Sequence, residues 1–147
     1  MAVKVVIDTN IWVSSLLNPF GFPARLRKLF EEGSFLVVIS EPIVDELADV
    51  LSRSRIRDKY GIAESDIHEL LTLIEERSEH VLLTGDVKIC RDKDDDCIIE
   101  TAIKGNSEYL VTRDDDIKFD NEVSSFLSRY GIFVISISRF LNLIEKS

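Results

Sequence analysis

Five carboxylates stand where apolar stretches would bury or deliver them: Asp8, Glu46, Asp95, Asp114 and Asp116. Asp8 closes the run Val3–Ile7, and Asp114 and Asp116 follow Tyr109–Thr112. Glu46 lies inside Ile43–Leu51, and Asp95 sits in the acidic run Asp92–Asp96. Two like charges about 4 Å apart repel by roughly 4 kcal/mol at an effective dielectric near 20. Several acids brought together would protonate or push the site open unless something positive joined them. A divalent cation that prefers oxygen ligands, Mg²⁺ or Mn²⁺, meets that need. His68 and His80 have no helical partner at ligand spacing, which argues against zinc.

Helical geometry selects among neighbouring acids. At about 100° per residue, Ile98, Ile99 and Ala102 lie within about 60° of Asp95 on a helix started there. Asp95 is therefore aimed into the protein at a helix N-terminus, where the backbone dipole favours negative charge. Asp96 falls at the edge of that face, and Asp94 points away. On Ile43–Leu51 the residues Ile43, Leu47 and Leu51 form one stripe, which Glu46 borders, while Asp45 and Asp49 face solvent. The run Asp92–Asp96 does not make an EF-hand, because Cys97 and Ile103 stand where the glycine and the bidentate glutamate belong.

The elements that must hold these acids alternate. Val3–Ile7, Phe35–Ile39, His80–Leu83, Tyr109–Thr112 and Ile132–Ile137 are short, rich in Val and Ile, and predict strands. Ile67, Leu70, Leu71 and Ile74 repeat at i, i+3, i+4, i+7 and predict a helix. Ser40 is placed as an N-cap with Pro42 in the first turn of a helix through Leu51. Gly33, Gly61, Gly105 and Gly131 punctuate helix ends, and a last helix covers Ser138–Lys146. Continuously apolar strands alternating with helices predict an α/β fold with a parallel sheet covered on both faces. Ligands of such sheets sit beyond the carboxyl ends of the strands, where Asp8 and Asp114 fall.

The chain has 147 residues, 45% of them hydrophobic, which is enough for one domain spanning 1–147 with a real core. No apolar run reaches the about 18 residues that would suggest a membrane span, and residues 1–7 lack a signal-peptide pattern. Cys90 and Cys97 match no metal motif and read as free thiols of a reducing cytoplasm. With 27 acidic and 18 basic residues the net charge is −9. That excludes a protein coating nucleic acid through a general basic surface, but not one gripping phosphate through metal ions. The main basic cluster is Arg53-x-Arg55-x-Arg57-Asp58-Lys59. It is either a solvated helix end or a phosphate-tracking strip.

In this order the pieces resemble the PIN-domain family of metal-dependent ribonucleases, over about Val3 to Leu141. They are Val-Val-Ile-Asp8-Thr9-Asn10-Ile, Ile39-Ser40 with Glu46-Leu47, Arg91-Asp92-x-Asp94-Asp95-Asp96 before Ile98-x-Glu100-x-Ala102, and Tyr109-Leu110-Val111-Thr112-Arg113-Asp114-x-Asp116. The variant most resembled is the VapC-like toxin component of type II toxin–antitoxin pairs. The resemblance implies a three-layer α/β/α sandwich and cleavage of single-stranded RNA with Mg²⁺ or Mn²⁺. It implies catalytic roles for Asp8, Glu46, Asp95 and Asp114, with Asp8, Asp95, Asp114 and Asp116 as metal ligands. Thr9 and Asn10 match the polar pair that hydrogen-bonds within the pocket, and Thr112 a hydroxyl near it. Arg113 would assist at the phosphate. A homodimer and a small antitoxin partner are implied as well. Ile117 departs from the family, where an aromatic often follows the last acid, and the long Leu51–Asp66 segment falls where the toxins vary most.

Two other readings separate cleanly. An aspartyl-phosphate phosphotransferase also puts Asp after its first strand but needs a second Asp two residues on, where Asn10 stands. A non-catalytic RNA-binding module on the same fold would normally have lost acids that are all present here.

Overall fold

The structure, a computed structural model, describes residues 2–90, 92–113 and 121–146. Five strands are β1 (Lys4–Ile7), β2 (Leu36–Ser40), β3 (Glu79–Val81), β4 (Tyr109–Thr112) and β5 (Phe133–Ser136). The helices are α1 (Thr9–Leu17), α2 (Phe22–Glu31), α3 (Glu41–Ser52), α4 (Ser54–Tyr60), α5 (Glu64–Arg77), α6 (Lys93–Lys104), α7 (Asn121–Ser128) and α8 (Ile137–Glu145). All strand pairs are parallel, in the order β3-β2-β1-β4-β5. Parallel neighbours need crossovers, and helices supply them.

Alternate side chains of each strand feed two separate cores. Val5, Ile7, Val37, Ile39 and Val111 pack with side chains of α1, α2, α3, α5 and α8. Val6, Val38 and Leu110 face the opposite way onto α6 and α7. The result is the expected three-layer α/β/α sandwich. The first core is aromatic at its outer end, where Phe35 meets Phe140 edge-on at 5.2 Å between ring centres and Trp12 meets Phe30 at 5.5 Å.

Several local expectations change. Residues expected in a strand at Leu82 and Leu83 lie past β3, and Leu82 is exposed; among the described residues β3 has a neighbour on one side, β2, which limits its pairing. Ser40 occupies the N-cap position of α3, but its side chain makes no capping bond. It is fully buried, and its hydroxyl turns instead to Thr101 on α6. α6 starts at Lys93, with the Asp92 side chain accepting from the Asp94 amide, so Asp95 is the third helical residue rather than the first. Gly33, Gly61 and Gly131 have positive φ, as helix-ending glycines commonly do. Gly105 ends α6 for another reason: its backbone is right-handed, and a Cβ there would stand 2.3 Å from Val38 Cγ1. The close approach of α6 to β2 forbids a side chain.

Candidate active site

The strand order reverses at β1, which lies between β2 and β4. Such a switch point opens a crevice at the carboxyl ends of the strands, because the helices on either side leave in opposite directions. Asp8 sits there. Its amide donates to the Val111 carbonyl at 3.0 Å, one step beyond the Ile7–Val111 pair, which puts it level with Thr112. The Asp8 residue is 0% exposed and Thr112 is buried. Asp8 also caps α1, one carboxylate oxygen accepting from the Asn10 amide at 3.4 Å. The helix cap and the buried acid at the switch point are thus one residue. Thr9 is buried beside it in the first turn, whereas the Asn10 side chain is exposed.

The flanking helices add two acids. Glu46 on α3 and Asp95 on α6 are each half-buried, while Asp45, Asp49 and Asp94 are exposed, as their helical angles require. α3 and α6 touch each other, α3 also packs on α1, and α6 packs on β1. Asp114 and Asp116 lie outside the described residues; β4 and Arg113, which is exposed, lead directly to them. Among the described residues, no three His, Cys, Asp or Glu side chains are grouped to hold a metal ion. The acids at this end of the sheet are oxygen donors throughout, and His80 bonds the Glu75 carbonyl at 2.8 Å, so the donor chemistry suits Mg²⁺ or Mn²⁺ rather than zinc.

Two carboxylates have functions that sequence reasoning missed. Glu100 is 2% exposed, yet helical geometry turns it away from the apolar face of α6. Its Oε1 accepts from the Gly85 amide at 3.0 Å and its Oε2 from the Thr84 amide at 2.6 Å, with the Thr84 hydroxyl at 3.3 Å. One turn earlier, Asp96 Oδ1 accepts from the Ile89 and Cys90 amides at 3.0 and 2.7 Å. The edge acid Asp96 is therefore a loop anchor. Together the two carboxylates strap the segment from Thr84 to Cys90 along α6. The only signal in the sequence was a pair of acids four apart on a helix beside Gly85, too common to single out.

The basic cluster is partly neutralised. Arg53 pairs with Asp49 at 3.1 Å and Arg57 with Glu64 at 3.0 Å. Lys59 lies over the Tyr60 ring, 5.4 Å from its centre, and Arg55 is exposed. Cys90 and Cys97 are thiols rather than disulfide partners, and both are half-buried. Burial pushes the Cys97 thiol pKa up, with Asp94 and Glu100 adding to the rise and Lys93 opposing it.

The structure thus sets a buried aspartate at the switch point of a five-stranded parallel sheet, with half-buried acids on the adjoining helices. The chain belongs to the PIN domain family, whose model matches residues 4–116. It is 31% identical over 115 residues to the uncharacterized protein MJ1680 of Methanocaldococcus jannaschii, covering 78% of this chain and 73% of that protein. Among solved structures its fold is similar to that in the crystal structure of VapBC2 from Rickettsia felis bound to a DNA fragment from their promoter. That match has a TM-score of 0.57 and 18% identity, over 91% of this chain and 98% of the other. No helix of the described residues is long and apolar enough to cross a membrane.

Proposed function

We propose that this protein is a metal-dependent endoribonuclease that cleaves single-stranded RNA, and that it is the VapC-like toxin of a toxin–antitoxin pair. The observation that carries the reading is the fully buried Asp8 at the switch point, level with Thr112 and flanked by helices bearing Glu46 and Asp95. Membership of the PIN family and the likeness of the fold to VapBC2 support it.

Asp8, Asp95 and Asp114, with Asp116 as an additional or alternative ligand, would hold Mg²⁺ or Mn²⁺, which would supply charge neutralisation at the scissile phosphate and acidify a nearby water. Glu46 would orient or deprotonate the attacking water, directly or through a second-shell contact. Arg113, at the end of β4, counters charge developing on phosphorus. Buried Thr9 and Thr112 fix the floor against which the Asp8 carboxylate is held. No covalent intermediate is involved. The protein acts in the cytoplasm as a homodimer, silenced by a small antitoxin.

Incubating the protein with an unstructured RNA and Mg²⁺ or Mn²⁺ tests the reading. Cleavage should stop with EDTA and return when the metal is restored. Full cleavage in chelator would sink the metal mechanism, and RNA binding without any cleavage would return the chain to a non-catalytic module.

A further inference from the structure

Across α6 from Asp95 lies a cavity of about 370 Å³ that the proposed chemistry does not use. It is lined by Val87, Lys88, Lys93, Asp96, Cys97 and Glu100, so two ammonium groups and two carboxylates share its wall. Lys93, Asp96, Cys97 and Glu100 lie between about 100° and 200° around the helix from Asp95. This face is therefore separate from the one that looks toward Asp8, about one helix diameter away, ~10–12 Å.

Three observations mark it as a built site. First, the loop that forms its wall is fixed, since four backbone amides between Thr84 and Cys90 are held by the two α6 carboxylates at 2.6–3.0 Å. Second, both carboxylates in the wall are fixed by amides, Glu100 through both oxygens and Asp96 through Oδ1, which leaves Lys88 and Lys93 as the groups free to turn to a ligand. Third, Lys88 and Lys93 are both exposed and neither is in an ion pair among the described residues. Arg53 and Arg57 of the basic cluster, by contrast, are each spent on a carboxylate.

We infer that this cavity binds one nucleotide of the single-stranded RNA outside the scissile position, with a phosphate between Lys88 and Lys93 and the base against Val87 and Cys97. An extended strand crossing the N-terminal end of α6 would reach both faces of the helix. A preformed pocket with ammonium groups at its mouth suits a phosphate and a flat base, because neither side must be ordered on binding. The inference rests on the ribonuclease reading, but its test does not require cleavage.

The probe is a fluorescent single-stranded oligoribonucleotide titrated in EDTA across a series of monovalent salt concentrations. Each phosphate neutralised contributes about 0.7 to the salt slope for single strands, so Lys88→Ala/Lys93→Ala, which share one phosphate, should flatten it by about 0.7 and weaken binding about fivefold at ~0.1 M salt. The charge-matched control Lys28→Ala/Lys104→Ala removes two exposed lysines from elsewhere and should change the slope far less. Val87→Trp, which fills the cavity while keeping both lysines, should weaken binding with the slope unchanged. Thermal melts should show the two lysine variants folded, since the lysines have no ion partner to lose, and Val87→Trp is read only with its melting transition kept. With metal restored, the double lysine variant should raise KM on a long RNA while kcat, and both constants on a dinucleotide, stay near wild type. Wild-type affinity in the Lys88/Lys93 variant, an equal loss in the control, tight binding by Val87→Trp, or no binding by the wild-type protein in EDTA would each overturn the site. Failure of every RNA to be cleaved with Mg²⁺ or Mn²⁺ would instead overturn the nuclease reading and leave the binding result standing.

Discussion

Ser40 Oγ and Thr101 Oγ1 stand 2.8 Å apart in the buried seam between β2 and α6. Thr101 also donates to the Cys97 carbonyl at 2.6 Å, so Ser40 is left as donor to Thr101. The bond ties the carboxyl end of a central strand to the helix that carries Asp95. Ser40→Ala and Thr101→Val should each lower stability by about 1 kcal/mol. Because they break the same link, the double variant should lose less than the sum. Urea denaturation of the four proteins measures the coupling; strict additivity would show that the hydroxyls do not bond.

Neighbours in the acidic run should part company. Asp95→Asn should abolish RNA cleavage and shrink the rise in melting temperature that Mg²⁺ produces. Without metal, the same variant should be as stable as the parent or more so, one like charge having been removed. Asp94→Asn, on an exposed side chain, should keep most activity. Asp96→Ala should cost about 1–3 kcal/mol by stranding the Ile89 and Cys90 amides, and Asp96→Asn, which keeps an acceptor oxygen, should cost less. A dead Asp94→Asn beside an active Asp95→Asn would mean that α6 presents a different face.

Within the basic cluster, Arg55 and Lys59 should matter more to RNA than Arg53 and Arg57. The latter two must first leave Asp49 and Glu64. Replacing Arg55 and Lys59 by Ala should flatten the salt dependence of binding by up to about 1.4. The Arg53→Ala/Arg57→Ala pair should flatten it less and change stability by no more than about 1 kcal/mol, the ion pairs being largely exposed. Equal slopes for the two pairs would show that the intramolecular partners do not compete.

In solution, light scattering should give the mass of two chains. The proposed antitoxin should block cleavage by placing a guanidinium or ammonium among Asp8, Glu46 and Asp95, because a planar, permanently charged fork matches carboxylates. Replacing that one basic residue should restore cleavage while the complex persists. A monomer would remove the dimer from the proposal, and unimpeded cleavage within the complex would remove pocket blockade.

Cys97 should be a slow thiol. Its pKa is raised, so at a given pH less thiolate is present than for an unperturbed cysteine, and the thiolate is the nucleophile. In a Cys90→Ser background without divalent metal, alkylation by iodoacetamide near pH 8 should be slower than that of a cysteine peptide. The rate should climb at higher pH than the peptide's does. A rate matching the peptide would mean that the loop does not cover Cys97.

How much could be read from residues alone depended on whether a pattern was local. Tyr109–Thr112 was legible to the residue, because an apolar run bounded by Ser107 and Arg113 admits few alternatives. The partial burial of Asp95 and Glu46 was legible because helical angle relates them to apolar neighbours a few residues away. Glu100 was not, since it is buried by a loop that no periodicity in α6 reveals. Ser40 looked like a cap for the same reason: its sequence context is that of a helix start, and only the arrival of α6 sixty residues later gives its hydroxyl a better partner.

Gly105 and Val38 together occupy a volume that admits only one branched side chain. The two positions therefore form a single unit of variation. Alanine at Gly105 should be tolerated only with a smaller residue at position 38, and Val38→Ala alone should leave a void that Gly105→Ala then fills. Where homologous chains drift, the size at one position should predict the size at the other, and a screen of random pairs should recover that inverse relation without reference to activity.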